Sequence, residues 1–325
     1  MDSRIRIGIV GYGNLGKGAE LAIRQNPDME LVGVFSRRQL AGTASGAPCI
    51  ALADAEQYAD KIDVMVLCGG SATDLIAQGP LLAQWFHTVN SFDTHARIPE
   101  HFEAMDRVAR EAGTAALISV GWDPGLFSLL RLLGNAVLPN GTDKTFWGAG
   151  VSQGHSDAIR RVPGVKKAVQ YTLPKEAFIQ DIRDGKIVDQ PGNRLHARDC
   201  YVVVEPGADT AAIERTIKEM PNYFVGYDTT VTFISEEEFA QKHSGMPHGG
   251  VVFRSGETRT GTRHVMEFSV KLDSNPEFTS SVLLAYARAL HRLVQHGGKG
   301  AYSVFDIPFG WLSPKSPAEL RKMML

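Results

Sequence analysis

The chain has little that would brace it covalently or draw it to a large polyanion. Its 325 residues include three cysteines, Cys49, Cys68 and Cys200, and no CxxC pair. That excludes a disulfide framework and a structural zinc site, and fits a reducing cytoplasm. Positive charge is not in surplus: the net charge is −2 and no long block carries one sign. Neither a nucleic-acid surface nor a membrane-attracting patch is therefore expected. No apolar run approaches the ~20 residues that cross a bilayer; the most apolar helical stretch, Gly125 to Leu138, is interrupted by Arg131 and Asn135. The first strand signal starts within a few residues of Met1, which leaves no room there for a signal peptide. Internal repeats and low-complexity segments are lacking too. What remains is 43% apolar and 22% charged, the composition of a globular protein whose partner is small, and long enough to bury two cores.

The stretch around which the rest is arranged is Gly11-Tyr12-Gly13-Asn14-Leu15-Gly16. Ile5, Ile7, Ile9 and Val10 before it read as a buried strand, and Leu15, Ala19, Ala22 and Ile23 after it recur at helical spacing. A glycine turn between strand and helix offers free backbone N–H groups to a pyrophosphate. A second strand, Leu31 to Phe35, ends in Ser36-Arg37-Arg38, where a carboxylate would mark NAD. A hydroxyl and two guanidiniums instead suit a 2′-phosphate, so the expected cofactor is NADP.

Strand and helix then alternate to about Gly121, which predicts a doubly wound parallel sheet of the Rossmann type. Asp63 to Cys68 is a strand ending in the small-residue turn Gly69-Gly70-Ser71-Ala72-Thr73-Asp74. A short strand, His87 to Asn90, ends in Ser91-Phe92-Asp93, and Ala115 to Val120 leads into Gly121-Trp122-Asp123-Pro124-Gly125. Because ligands bind past the carboxyl ends of such strands, Cys68, Gly69, Gly70, Ser71, Thr73, Asp74, Ser91, Phe92 and Asp93 join Gly11 to Leu15 and Ser36 to Arg38 as candidate cofactor contacts. Asp93 and Asp123 are candidates to hold an ammonium or to act as general base; each serves equally well as a turn cap.

Beyond residue 123 the pattern changes to α+β. His264, Met266, Phe268, Val270 and Leu272 alternate with polar residues, as in an antiparallel strand with one open face. Further strands are expected over 165–173, 198–204, 229–234 and 250–253, with helices over 211–219 and 277–294. The predicted division is a dinucleotide-binding domain of residues 1–123, rejoined by 297–325, and a substrate-binding α+β domain of residues 124–296 with a mixed or antiparallel sheet. Phe146 to His155 mixes an aromatic platform with glycines, Met246-Pro247-His248-Gly249-Gly250 sets a histidine before a strand, and Arg198 is placed to clamp a carboxylate. Trp147 as core, His248 as a turn residue and Arg198 as a surface ion pair are the plain alternatives. No metal site is expected, since His155, Asp157 and His248 lack ligand spacing.

Ile9 to Gly16, Phe35 to Arg38, Gly70 to Asp74, GWDPG (121–125), SQGHSD (152–157), QYTLP (170–174), GMPHGG (245–250) and Leu272 to Pro276 together resemble the meso-diaminopimelate dehydrogenases, nearly end to end. The resemblance implies oxidation of the D-configured amine of meso-diaminopimelate by NADP, in lysine and cell-wall precursor metabolism, by a cytoplasmic homodimer. It also implies that Asp93, Trp122 and Asp123 surround the reacting end and that the Gln153-Gly154 backbone lies near its carboxylate. Trp147 and Thr172 would shape the pocket, while Arg198, His248 and Asn275 grip the distant L-configured end. Gln39 to Ala53, Ser255 to Arg263 and the tail after Leu312 are idiosyncratic. A broad D-amino-acid dehydrogenase and a non-catalytic NADP-binding sensor remain as alternatives.

Overall fold

A computed structural model describes residues 4–325. The chain divides into two compact units, one holding the residues up to Leu129 together with Pro276–Leu325, the other Leu130–Asn275.

In the first unit the apolar runs form β1 (Ile5–Val10), β2 (Met29–Ser36), β3 (Cys49–Ala51), β4 (Val64–Leu67), β5 (Thr88–Asn90) and β6 (Ala115–Leu117). With the late strand Gly300–Tyr302 beside β6 they make a seven-stranded sheet in which β5, β4, β1, β2 and β3 follow in that order. Every pairing is parallel. Helices α1 (Asn14–Arg24), α2 (Leu75–Ala83) and α3 (Ile98–Ala112) supply crossovers, and α4 (Leu126–Val137) follows β6. The strands read as solidly apolar because both faces are covered. Val64 and Val66 join Ile7, Ile9, Ala19 and Ile23 in one core, whereas Met65 and Leu67 join Phe35, Leu75 and Phe86 in another. Each such side chain contributes ~1.5–3 kcal/mol on burial. Strand order reverses between β1 and β4, which brings their carboxyl ends side by side.

The long helix Asn275–Gln295 corrects the expected division, which left it in the second domain. Its Leu283, Leu284, Tyr286, Ala287 and Leu290 fill the same core as Ile7, Ile9 and Ala19. Ser280 Oγ donates to Leu15 O at 2.7 Å, and buried Arg288 binds Asp28, Asn26 Oδ1 and Leu312 O. Periodicity shows that a helix has an apolar face but not which sheet will cover it.

The second unit contains β7 (Gly141–Trp147), β8 (Gly150–Val151), β9 (Val165–Pro174), β10 (His196–Val204), β11 (Asp228–Phe233), β12 (His248–Arg259) and β13 (Thr262–Leu272). One sheet runs β11, β10, β9, β8 and is mixed, only β10 and β11 being parallel. The other runs β13, β12, β7 and is antiparallel. Helices α5 (Gln153–Arg160) and Thr210–Lys218 cover the first sheet through Ile159, Ile213 and Ile217. β7 has no strand signature because Thr142, Asp143 and Lys144 make it polar. β13, an edge strand, keeps Met266, Val270 and Leu272 of the expected inward face at least half-buried, but Phe268 of that face is exposed, as is Val265 on the other.

Candidate functional site

In the first unit, the residues past β1, β2, β4 and β5 gather on one edge of the sheet. Gly11 follows β1 at φ +90°, a left-handed conformation that suits glycine; its N–H donates to Phe35 O and the Cys68 N–H to Val10 O, both at 2.8 Å. These bonds set the ends of β2, β1 and β4 in one row. Gly16 lets α1 close on the turn, since a Cβ there would meet Gly11 O at 2.0 Å. Gly13 is the N-cap of α1; no side chain caps the helix, and a Cβ on Gly13 would meet nothing within 4 Å. Tyr12, Asn14 and Leu15 complete this turn. Open space before an uncapped helix N-terminus fits the diphosphate of a dinucleotide.

The basic pair past β2 is not wholly free. Arg37 forms an ion pair with Asp74 at 2.5 Å, and Asp74 also accepts the Gly70 N–H at 3.0 Å. Arg38 is exposed, and its N–H donates to Ser36 Oγ at 3.0 Å. Gly70 O in turn receives the N–H groups of Thr73, Asp74 and Leu75, so the small-residue turn past Cys68 and Gly69 is a closed, polar loop that presents Arg37. Beyond β5, Ser91, Phe92 and Asp93 are tied down at the backbone. Buried Asn90 accepts the Phe92 N–H through Oδ1 at 3.1 Å, and Ser71 Oγ accepts the Asp93 N–H at 3.0 Å. His101 stacks on Phe92 with centroids 4.2 Å apart, and burial pushes its pKa down to about 4. Past β6, Trp122 is buried edge-on to Phe127 and Asp123 begins a cis Asp123–Pro124 bond. The tight turn from Gly121 to Leu126 leaves the Asp123 side chain half-buried.

In the second unit a different set converges. Gly150, Thr172 and Arg198 lie in register across β8, β9 and β10, and the Arg198 guanidinium bonds Thr172 Oγ1. Arg198 is only 7% exposed, its Nε has no partner, and no carboxylate pairs with it among the described residues. It lies over the Tyr227 ring at 4.2 Å, and burial holds its pKa below the ordinary value. The surface-ion-pair alternative is thereby excluded. Backbone bonds bring the remaining candidates alongside: Gly148 N–H to Gly249 O (2.7 Å), Val151 N–H to Pro247 O (2.9 Å), Ser152 N–H to Gln170 O (2.9 Å) and Asn275 N–H to Met246 O (2.9 Å). His248 opens β12 and Gln153 and Gly154 open α5, where the Ser152 hydroxyl bonds His155 Nδ1 at 2.7 Å instead of capping the helix. The Trp147 side chain is exposed, while its backbone N–H donates to His196 Nε2 at 3.0 Å; it is not core. Tyr227 is the participant that sequence reasoning missed, because no local pattern announces that an aromatic just before β11 will lie under an arginine of β10. Among the described residues no cluster of His, Cys, Asp and Glu could hold a metal ion, and no helix is long and apolar enough to cross a membrane.

Comparison with known proteins converges on one family. Residues 121–274 match the family described as the diaminopimelic acid dehydrogenase C-terminal domain. A meso-diaminopimelate D-dehydrogenase from Ureibacillus thermosphaericus is 62% identical over 99% of this chain and 100% of its own length. The solved structure of C. glutamicum DAP dehydrogenase in complex with DAP is 47% identical and superposes with a TM-score of 0.93, covering 99% of this chain and 100% of the other. An engineered D-amino acid dehydrogenase bound to NADP+ is 46% identical with a TM-score of 0.88 over the same shares.

Proposed function

The chain belongs to the meso-diaminopimelate D-dehydrogenase family, and from that membership we propose that it oxidises the D-configured amine of meso-2,6-diaminopimelate with NADP, reversibly. Hydride leaves the amine-bearing carbon for NADP, and water hydrolyses the resulting imine and supplies the new oxygen. The products are NADPH, a proton, ammonia and L-2-amino-6-oxopimelate, which cyclises to tetrahydrodipicolinate. When bound, NADP supplies the hydride acceptor. Gly11 to Leu15 and the N-terminus of α1 hold its diphosphate, and Ser36, Arg37 and Arg38 hold its 2′-phosphate. The loops carrying Cys68 to Asp74 and Ser91 to Asp93 line the same edge. Asp93 and Asp123 accept from the reacting ammonium and take its proton, directly or through water, with Trp122 beside them. In the second unit, the Gln153 and Gly154 N–H groups receive the carboxylate of the reacting end and Trp147 walls the pocket. Thr172, Arg198, His248 and Asn275 take the L-configured end.

The observation that carries this reading is Arg198, a buried guanidinium to which no carboxylate among the described residues is paired. Such a charge is costly to leave alone and is compensated by a ligand carboxylate, which a dicarboxylic diamine provides and a simple D-amino acid, with one carboxylate, does not. We place the enzyme in the cytoplasm, where its three unpaired thiols stay reduced. It acts as a homodimer: Leu132, Leu133 and Val137 on α4 and Val265 and Phe268 on β13 expose apolar surface that a second copy would cover. The deciding assay follows NADPH formation with meso-diaminopimelate, its L,L isomer and a panel of D-amino acids. Turnover of the meso isomer alone is expected; equal turnover of D-alanine would replace the reading with a broad dehydrogenase, and none at all with a sensor.

A further inference from the structure

The segment after Arg38 looks like drift in sequence, but it is fastened to the glycine turn by a buried carboxylate. Glu20 lies on α1 and is 1% exposed. Its partners are not cations. Tyr12 Oη–H bonds Oε2, the Ser45 N–H donates to Oε1 at 2.5 Å, and the Ala44 N–H reaches both Tyr12 Oη (3.0 Å) and Oε2 (3.3 Å). The segment closes on itself through Thr43 Oγ1 to Ala47 O at 2.9 Å and Gly46 N–H to Thr43 O at 3.3 Å. Its own side chains are mostly exposed, so no apolar burial holds it in place. Burial alone would raise the pKa of Glu20, but the bonds from Ser45 and Tyr12 keep it below the ordinary value. The carboxylate therefore stays ionised, and charge-assisted bonds are the strong kind.

Two polar clasps thus hold the chain that follows β2. Arg37, just past the strand, is held by Asp74 and the Gly70 loop, and the 43–47 segment, which leads into β3, is held by Glu20 to Tyr12, the residue between Gly11 and Gly13. We infer that Glu20 is a positioning residue for the adenosine 2′-phosphate half of the cofactor. It fixes the glycine turn through Tyr12, whose neighbour Gly11 donates to Phe35 O next to Ser36, and holds the 43–47 backbone against that tyrosine. This rests on the NADP reading above. Glu20 touches neither the cofactor nor the substrate; it acts through the groups it orders, lowering the entropy lost on binding.

The test is NADP titration of the substrate-free enzyme by intrinsic fluorescence, with amide exchange read in parallel. Glu20→Gln keeps the shape but loses the charge and puts an amide where two donors point. Its NADP dissociation constant is expected to rise at least tenfold and the Ala44 and Ser45 amides to exchange faster. At saturating NADP, kcat and the KM for meso-diaminopimelate should stay within twofold. Tyr12→Phe removes a single hydroxyl, folds regardless of the carboxylate's fate, and should weaken NADP severalfold; the double variant should be no worse than Glu20→Gln, because the hydroxyl acts through Glu20. Wild-type NADP affinity in both variants would overturn the assignment. So would a loss shared equally by NADP affinity, substrate KM and kcat, which marks general damage. Failure of the wild-type enzyme to bind NADP would instead bring down the functional reading itself, and this inference with it.

Discussion

Arg198 carries more functional information than any other single residue. A guanidinium on a sheet, 7% exposed with Nε unbonded, is not there for stability; replacing an uncompensated buried charge by an apolar side chain is commonly neutral or stabilising. Arg198→Met should therefore separate function from fold. The KM for meso-diaminopimelate is expected to rise about 100-fold, the worth of two charge-assisted hydrogen bonds at ~1.5 kcal/mol each, while the melting temperature holds or rises. Steady-state kinetics and thermal unfolding of one preparation decide it, and a wild-type KM would remove Arg198 from the site. Its spacing in sequence says none of this. Arg198 could equally have sat on the surface until β9 and β10 set it opposite Thr172 and a turn laid Tyr227 beneath it.

At the scale of elements, the carboxyl ends of β1, β2, β4 and β5 were legible because parallel strands are buried on both faces and so announce themselves as apolar runs between glycine turns. That Ser36-Arg37-Arg38 stands at a strand end was legible in the same way. What the sequence withheld is that Asp74, four residues past Gly70, competes for Arg37. Replacing both arginines, Arg37→Ala with Arg38→Ala, should weaken NADP about 100-fold, again from two charge-assisted bonds of ~1.5 kcal/mol each. NAD, which has no 2′-phosphate, should lose less than about threefold. Equilibrium titration with both cofactors measures the contrast, and equal losses would overturn the assignment. Short or polar elements such as β7 and β8 were not legible, since their pairing is decided by neighbours distant in sequence.

Across the whole molecule, buried histidines give stability a definite pH dependence. Burial pushes the pKa values of His101 and His155 down to about 4 from an ordinary 6.5. Between those values the unfolded chain takes up protons that the native protein refuses, so stability is full above about pH 6.5 and falls as pH drops toward 4. Asp28 and Asp63, held low by Arg288 and Arg6 against the cost of burial, add loss of the same sign at still lower pH. Urea unfolding midpoints measured from pH 7.5 to 4.5 should decline steadily; a flat profile would contradict the burial of these rings.

The sequence by itself determined the parallel sheet, the glycine turn, the choice of NADP and the aspartates past two strand ends. All of these are local: a run of apolar residues, a turn, the residue that follows. Tertiary structure alone decided that the helix Asn275–Gln295 belongs with the first sheet, that Arg198 is buried over Tyr227, and that Glu20 reaches past its own helix to hold Ala44 and Ser45. Each of these is a contact between segments separated along the chain, and which apolar face or buried charge finds which partner depends on packing that no local pattern encodes.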